Sequence, residues 1–302
     1  MHDLTNCEVL TNTFGGSEKK KRLVFDGRIY MVKFPDRVRE QKNELSYMNN
    51  QFSEDIGCKI YKTLGFETQN TFLATYRIGA ESKIVVACED FTQDGDRLIE
   101  FHKLSLEHIE NDSLRTQANI DKVMEVIEAA KQITDKADFT RKFWDMFVVD
   151  GFIGNRDRNL DNWGALEDSE KNLRFAPIYD CGSSLSPLIT EDAMRSALNN
   201  MNIFKREEFN VYSCYRINRN KILFSEFMKT PPDELREAIL RVVPKIMASK
   251  KKIEKIIDET PVMSDIHKRY LKTSLSLRSQ AILIPALHKA RGSQDKNNIH
   301  AR

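Results

Sequence analysis

Paired cysteines are missing from this chain. Its five cysteines, Cys7, Cys58, Cys88, Cys181 and Cys214, are scattered, odd in number and never spaced C-x-x-C. That argues against a disulfide framework and against a structural zinc site. Most read as small buried hydrophobes in a reducing compartment. Long apolar runs are missing too. Stretches such as Phe147 to Val149 and Ile282 to Ile284 fall far short of a membrane span. Met1-His2-Asp3 opens no apolar signal stretch. A cytoplasmic location is the default expectation, with export by a route needing no such segment left open. The third absence is an excess of charge of one sign. The chain has 47 Lys and Arg against 45 Asp and Glu, a net charge of +2. That makes no general case for direct nucleic-acid binding. The local basic runs Lys19 to Arg22 and Lys250 to Lys252 read as solvated faces. Neither an internal repeat nor a low-complexity segment stands out.

What is present is a chain of 302 residues, 40% hydrophobic and 30% charged, enough for one large domain or two lobes sharing a cleft. The first ninety or so residues read as strand-rich. Leu23 to Phe25, then Asp26-Gly27, then Ile29 to Phe34 is a hairpin pattern, because Asp-Gly supplies the positive φ of a tight turn. Ser53 reads as the cap of a helix with apolar positions at Ile56, Ile60 and Leu64, stopped by Gly65. Strands are expected at Thr71 to Tyr76 and Lys83 to Cys88. Beyond Phe91 the pattern turns helical: Ile120 to Ile133, Phe139 to Phe152, Asp233 to Met247, Lys251 to Ile257 and Ile266 to His288. Pro231-Pro232 marks one helix start and Pro261 separates two others. The expectation is an α+β architecture: a small β-rich lobe over residues 1–91 and a larger α-helical lobe over 92–302.

The segment Gly154-Asn155-Arg156-Asp157-Arg158-Asn159-Leu160-Asp161-Asn162-Trp163-Gly164 carries the chemistry. It follows a strongly apolar helix and has the Gly, Asn and Asp content of a loop. Asp157 and Asn162 stand in the D-x-x-x-x-N spacing of a kinase catalytic loop. A carboxylate there accepts the acceptor's hydroxyl proton, and an amide oxygen a short loop away ligates magnesium. Asp180, within Ala176-Pro177-Ile178-Tyr179-Asp180-Cys181-Gly182-Ser183-Ser184, takes the place of the second magnesium ligand. A base followed by two metal ligands in this order is far more specific than any one of them. An EF-hand reading of Asp157, Asn159 and Asp161 fails downstream, where Asn162, Gly164 and Asp168 replace the required Gly, apolar residue and Glu.

The N-terminal part supplies what such a loop needs for ATP. Period-two alternation puts Ile29, Met31 and Lys33 on one strand face. Lys33 could reach the nucleotide phosphates, with Met31 roofing the adenine. Glu54, placed in the first turn of the next helix, is the candidate partner that a buried ammonium requires. Gly15-Gly16-Ser17 could cover the phosphates with backbone N–H groups. Glu89-Asp90-Phe91 would form the hinge whose backbone meets the adenine edge. Trp163 reads as packing beneath the loop, and Asp161 as solvated or structural.

These residues resemble the HipA-like serine/threonine kinases. The likeness rests on Gly154-Asn155-x-Asp157 with Asn162-Trp163-Gly164, then on Ala176-Pro177-Ile178-Tyr179-Asp180-x-Gly182-Ser183. Met31-Val32-Lys33-Phe34-Pro35, Phe52-Ser53-Glu54 and Val85-Val86-Ala87-Cys88-x-Asp90-Phe91 extend it through the N-terminal part. It spans roughly residues 5 to 290 and is similar to the short CtkA-type members, which lack the extra N-terminal subdomain of HipA itself. The resemblance implies a two-lobed protein-kinase-like fold. It implies ATP- and magnesium-dependent phosphorylation of protein Ser/Thr residues, with autophosphorylation common. HipA itself works beside a DNA-binding antitoxin; nothing in this chain shows such a partner. Family members usually carry His two residues after the catalytic Asp, where this chain has Asn159. Asn159 can order the loop but cannot be charged, which puts the catalytic rate in question. Two alternatives stay open. Asp157-Arg158 to Asn162 also fits the Asp-Arg-x-x-x-Asn loop of phosphoinositide-type lipid kinases, and Asn159 is the one hint of a catalytically weak interaction protein.

Overall fold

The computed structural model of the chain describes residues 1–11, 20–35, 49–92, 95–108 and 118–300, with side chains up to 292. Gly15 and Gly16, expected over the phosphates, lie outside the described residues.

Short strands β1 (His2–Asp3) and β2 (Glu8–Leu10) flank the hairpin of β3 (Lys20–Phe25) and β4 (Arg28–Lys33). The hairpin turns on Asp26 and Gly27 with φ of 50° and 73°. Two successive positive φ values are what a two-residue loop needs to match the strand twist. Helix α1 (Asn50–Thr63) follows, then β5 (Thr71–Ile78) and β6 (Glu81–Glu89). The strands form one six-stranded sheet in the order β1-β5-β6-β4-β3-β2. Alternation splits its faces. Leu23, Tyr30, Val32, Phe34, Ala74, Tyr76, Val85 and Ala87 form one small core. Leu73, Val86 and Cys88 turn the other way, onto Ile56 and Ile60 of α1, with Met31 packed at that core's edge. Lys33 therefore shares a face with α1, as the period of two requires.

Helix α1 begins earlier than the sequence suggested. Ser53 lies inside it, buried, and Asn49 stands at its N-terminal boundary. Glu54 consequently sits in the second turn, not the first. The helix start is set by burial of Phe52, Ser53 and Glu54, which outweighs the capping preference of a lone serine.

The remainder mixes helices with small sheets that the sequence pattern did not show. Strand β7 (Arg97–Glu100) leads directly into α2 (Phe101–His108), α3 (Ile120–Ala129) and α4 (Lys136–Ile153). Helix α4 is buried along its second half, so its apolar residues run all round rather than on one stripe. After the 154–163 loop, β8 (Gly164–Glu167) pairs antiparallel with both β7 and β9 (Leu173–Phe175). Helices α5 (Glu191–Asn199) and α6 (Met201–Phe209) and a hairpin of β10 (Tyr212–Ile217) and β11 (Asn220–Leu223) come next. The chain closes with α7 (Phe224–Phe227), α8 (Asp233–Ala248), α9 (Lys250–Glu259), α10 (Asp265–Arg278) and α11 (Ile284–His300). The single helix expected over Ile266 to His288 is in fact α10 and α11 joined by a π-helical turn, Ser279–Leu283. Among the described residues no helix is long and apolar enough to cross a membrane.

The two parts of the chain meet through backbone as well as side chains. Gln69 N–H donates to the Ile178 carbonyl (2.8 Å) and Ile178 N–H to that of Glu67 (2.9 Å). This fixes the segment before Asp180 against the connection from α1 to β5.

Candidate active site

Helix α4 ends at Gly154, whose φ of 66° is the left-handed conformation that terminates a helix. A side chain here would also collide with Arg278, because a Cβ would stand 2.5 Å from its guanidinium. Arg278 in turn donates to the Phe152 carbonyl (3.3 Å) and pairs with buried Glu208. The loop that follows is thus launched in one direction.

Within it, Asn155 accepts from the Asp157 N–H (3.1 Å) and donates to Asp150 (3.1 Å). Asn159 bridges the turn: its amide donates to Asp157 Oδ1 (2.9 Å) and its oxygen accepts from the Asp161 N–H (2.9 Å). Asn162 donates from its amide nitrogen to the Asp157 carbonyl (2.7 Å). Its amide oxygen is then the end available to a cation. Asp161 lies 3.4 Å from His102 Nδ1, and its carbonyl accepts from Tyr179 OH (3.1 Å). His102 thereby gains a contact that its position in the sequence did not suggest. Trp163 packs beneath the loop, stacked on Phe101 with ring centres 4.2 Å apart.

Arg158 is the residue sequence reasoning missed. It is buried and makes a double hydrogen bond to Asp150, Nε to Oδ2 (3.0 Å) and NH2 to Oδ1 (3.2 Å). Its NH1 donates to the carbonyls of Asn162 (2.8 Å), Tyr179 and Asp180 (3.2 Å). One planar fork therefore ties the 154–163 loop to the Asp180 segment. Its bridging role left no local signal, because the Tyr179 and Asp180 carbonyls lie 21 and 22 residues away.

Lys33 joins the two halves of the site. Its Nζ lies 3.1 Å from Glu54 Oε2 and 3.0 Å from Asp180 Oδ1. Glu54 spends its other oxygen on the Cys181 N–H (3.1 Å). The expected Lys33–Glu54 pair is present, and Asp180 completes it. Asp180 has φ 54°, uncommon for a residue with a side chain. Lys33 on its carboxylate and Arg158 on its carbonyl hold it there.

Electrostatics separates the two aspartates. Desolvation raises the Asp157 pKa above its ordinary 3.8; the Asn159 hydrogen bond pulls it back and the Asp180 charge adds to the rise. Its side chain still reaches solvent. Asp180 goes the other way. Burial pushes its pKa up, but the Lys33 charge and hydrogen bond outweigh that and hold it low. The lowered pKa keeps Asp180 ionised.

At the hinge, the Glu89 N–H donates to the Asn70 carbonyl (2.9 Å) and its own carbonyl accepts from the Gln69 amide (2.9 Å). The Asp90 N–H is taken by the Ile29 carbonyl (2.8 Å). Glu89 is thus committed to shaping the hinge. Phe91 packs on Tyr179, one residue before Asp180, with centres 5.9 Å apart. Met31 faces the α1 side of the sheet. Among the described residues, no group of three or more His, Cys, Asp or Glu side chains could hold a metal by itself. Asn162 and Asp180 are the two oxygen donors here that could together hold a hard cation, with its remaining ligands coming from elsewhere. Cys58, Cys88 and Cys181 are buried near the site. The Cys58 thiol is pushed well up by its hydrogen bond with Cys181 and by burial, and the Cys88 thiol by burial. They are packing residues.

Residues 13–261 match the HipA-like C-terminal domain family. The serine/threonine-protein kinase CtkA of Helicobacter pylori strain J99 is 37% identical over 287 residues, covering 93% of this chain and 86% of that protein. The crystal structure of an H. pylori proinflammatory kinase CtkA superposes with a TM-score of 0.89 at 35% identity, over 96% of this chain and 98% of that one. HipA of Shewanella oneidensis MR-1, solved with HipB and operator DNA, shares the fold at a TM-score of 0.58 and 14% identity, over 94% of this chain and 67% of that one. A family match over most of the chain, a relative alike along nearly its whole length and a lysine set between two carboxylates lead to one placement: this chain belongs to the HipA-like C-terminal domain family.

Proposed function

We propose that the protein is an ATP- and magnesium-dependent protein serine/threonine kinase that also phosphorylates itself, with lobes 1–91 and 92–302 closing on the nucleotide. The observation that carries this reading is Lys33 held between Glu54 at 3.1 Å and Asp180 at 3.0 Å, with Asp157 tied to the same Arg158 clamp through its loop. Glu54 aims the ammonium, and Lys33 presents it to the phosphates. Met31 covers the adenine while the backbone at Asp90 and Phe91 meets its edge. The Gly15-Gly16 segment covers the phosphates in this reading. Asn162 and Asp180 would hold magnesium, which supplies charge neutralisation on the phosphates when bound. Asp157 accepts the proton of the acceptor hydroxyl as the γ-phosphoryl group leaves ADP and bonds to that oxygen. Its raised pKa makes it a better base than an ordinary aspartate.

A protein acceptor is favoured over a lipid by the fate of the helix that opens on a run of three lysines. Helix α9 begins Lys250-Lys251-Lys252, yet its apolar residues Ile253 and Ile257 are buried within the protein. A helix that spends its apolar face internally has none to insert into a bilayer. The test is incubation of the purified chain with labelled ATP and magnesium, with and without a generic protein acceptor, followed by mass spectrometry. Phosphate on Ser or Thr is expected. Efficient labelling of inositol lipids with no phosphoprotein would overturn the reading.

A further inference from the structure

The cleft face of β3 carries a second lysine beside Lys33. Strands β3 and β4 pair antiparallel with Lys20 directly opposite Lys33, Lys21 opposite Val32 and Arg22 opposite Met31. Directly opposed residues point to the same face of a sheet. Lys20 and Arg22 therefore share the face of Lys33 and Met31, while Lys21 points to the other. The contacts agree. Lys21 donates to Tyr76 OH (2.6 Å), part of the far core, whereas Arg22 reaches Asp90 at the hinge (3.3 Å).

Two like charges directly opposed on one sheet face destabilise the pairing unless anions offset them. Here Glu54 and Asp180 both sit against Lys33, at 3.1 and 3.0 Å. Once a nucleotide tail and its cation draw on Asp180, the local balance favours a polyanion. We infer that Lys20 is a second phosphate-binding residue, placed across the sheet from Lys33 to hold the triphosphate tail of the nucleotide. This rests on the kinase reading and adds to it a residue that neither the loop motifs nor the hinge contain. Lys20 selects for the phosphate tail and contributes nothing to the nucleoside. Arg22, committed to Asp90, serves the hinge instead.

The experiment is calorimetry on the full chain with magnesium, using a non-hydrolysable ATP analogue and adenosine as separate probes. Lys20→Met should weaken the analogue by about tenfold or more, the scale of a lost charge-assisted hydrogen bond. Adenosine affinity should stay at the wild-type value. Lys20→Arg should recover most of the lost affinity, and Lys21→Met, which removes the neighbouring charge on the other face, should change neither probe. Recovery in Lys20→Arg also shows that the position tolerates substitution. Analogue affinity within about twofold of wild type in Lys20→Met, with the wild type still preferring the analogue to adenosine, overturns this inference alone. Equal losses for both probes overturn it as well. A wild-type chain that binds the analogue no better than adenosine overturns the kinase reading and this inference together.

Discussion

In the proposed reaction Asp157 must be charged to act as the base, yet it stands where the protein partly withdraws water. Its folded-state pKa lies above 3.8, with desolvation the first cause. A carboxyl raised in the folded state contributes stability that is present below its unfolded pKa and lost as pH rises through the folded one. At neutral pH the ionised side chain is therefore a cost. Asp157→Asn should melt at or above the wild-type temperature at pH 7, with the difference vanishing at acid pH. Turnover should fall by at least about 10²-fold while Mg·ATP affinity stays near normal. A lower melting temperature at pH 7 would show that the carboxylate is structural. Asn159 tunes the same group, since its 2.9 Å hydrogen bond lowers the Asp157 pKa. Asn159→Ala should move the acid limb of the kcat–pH profile to higher pH. Asn159→His, which restores the residue usual in the family, should keep activity within about tenfold of wild type. An unmoved acid limb in Asn159→Ala would mean that the contact does not reach the base.

Elements that place the site were legible wherever the signal was local. The β3–β4 hairpin follows from Asp26-Gly27, because two adjacent residues decide the turn. The 154–163 loop follows from its Gly, Asn and Asp content. What failed was decided by burial. Helix α1 starts before Ser53, and short β7, β8 and β9 escape any periodicity test because three or four residues carry too few positions. Arg158 links the 154–163 loop to the Asp180 segment and to Asp150, with side-chain exposures of 1% for it and 3% for Asp150. Arg158→Met should destabilise the chain by about 3–5 kcal/mol, since it leaves the Asp150 carboxylate buried without its cation. Urea unfolding measures it. A loss below about 1 kcal/mol, the scale of an exposed pair, would show that the fork is dispensable.

At the scale of the molecule, Lys33 joins the sheet, helix α1 and the Asp180 segment in one cluster. A nucleotide that binds only the folded state should stabilise the chain by about 2.7 kcal/mol at a hundred times its Kd. With ATP and magnesium the wild type should show that rise in melting temperature. Lys33→Ala and Asp180→Ala should lose most of it, and Asp161→Asn should keep it. An equal rise in all four, or one that does not depend on magnesium, would count against the site as drawn.

The sequence by itself determined which residues could do the chemistry. Asp157, Asn162 and Asp180 are recognisable because a catalytic loop fixes its spacings over a few residues, and Lys33 because strand alternation assigns its face. Tertiary structure alone decided how those residues are held. Glu54 reaches Lys33 from 21 residues away, Asp180 from 147, and Cys181 meets Glu54 across 127. Such pairings leave no mark in a local pattern, because the distance between side chains is set by how the sheet, α1 and the loops pack. The same packing engaged the Glu89 backbone with Gln69 and Asn70, placed Arg158 beneath two loops and set Lys20 on the sheet face of Lys33 with Lys21 on the other.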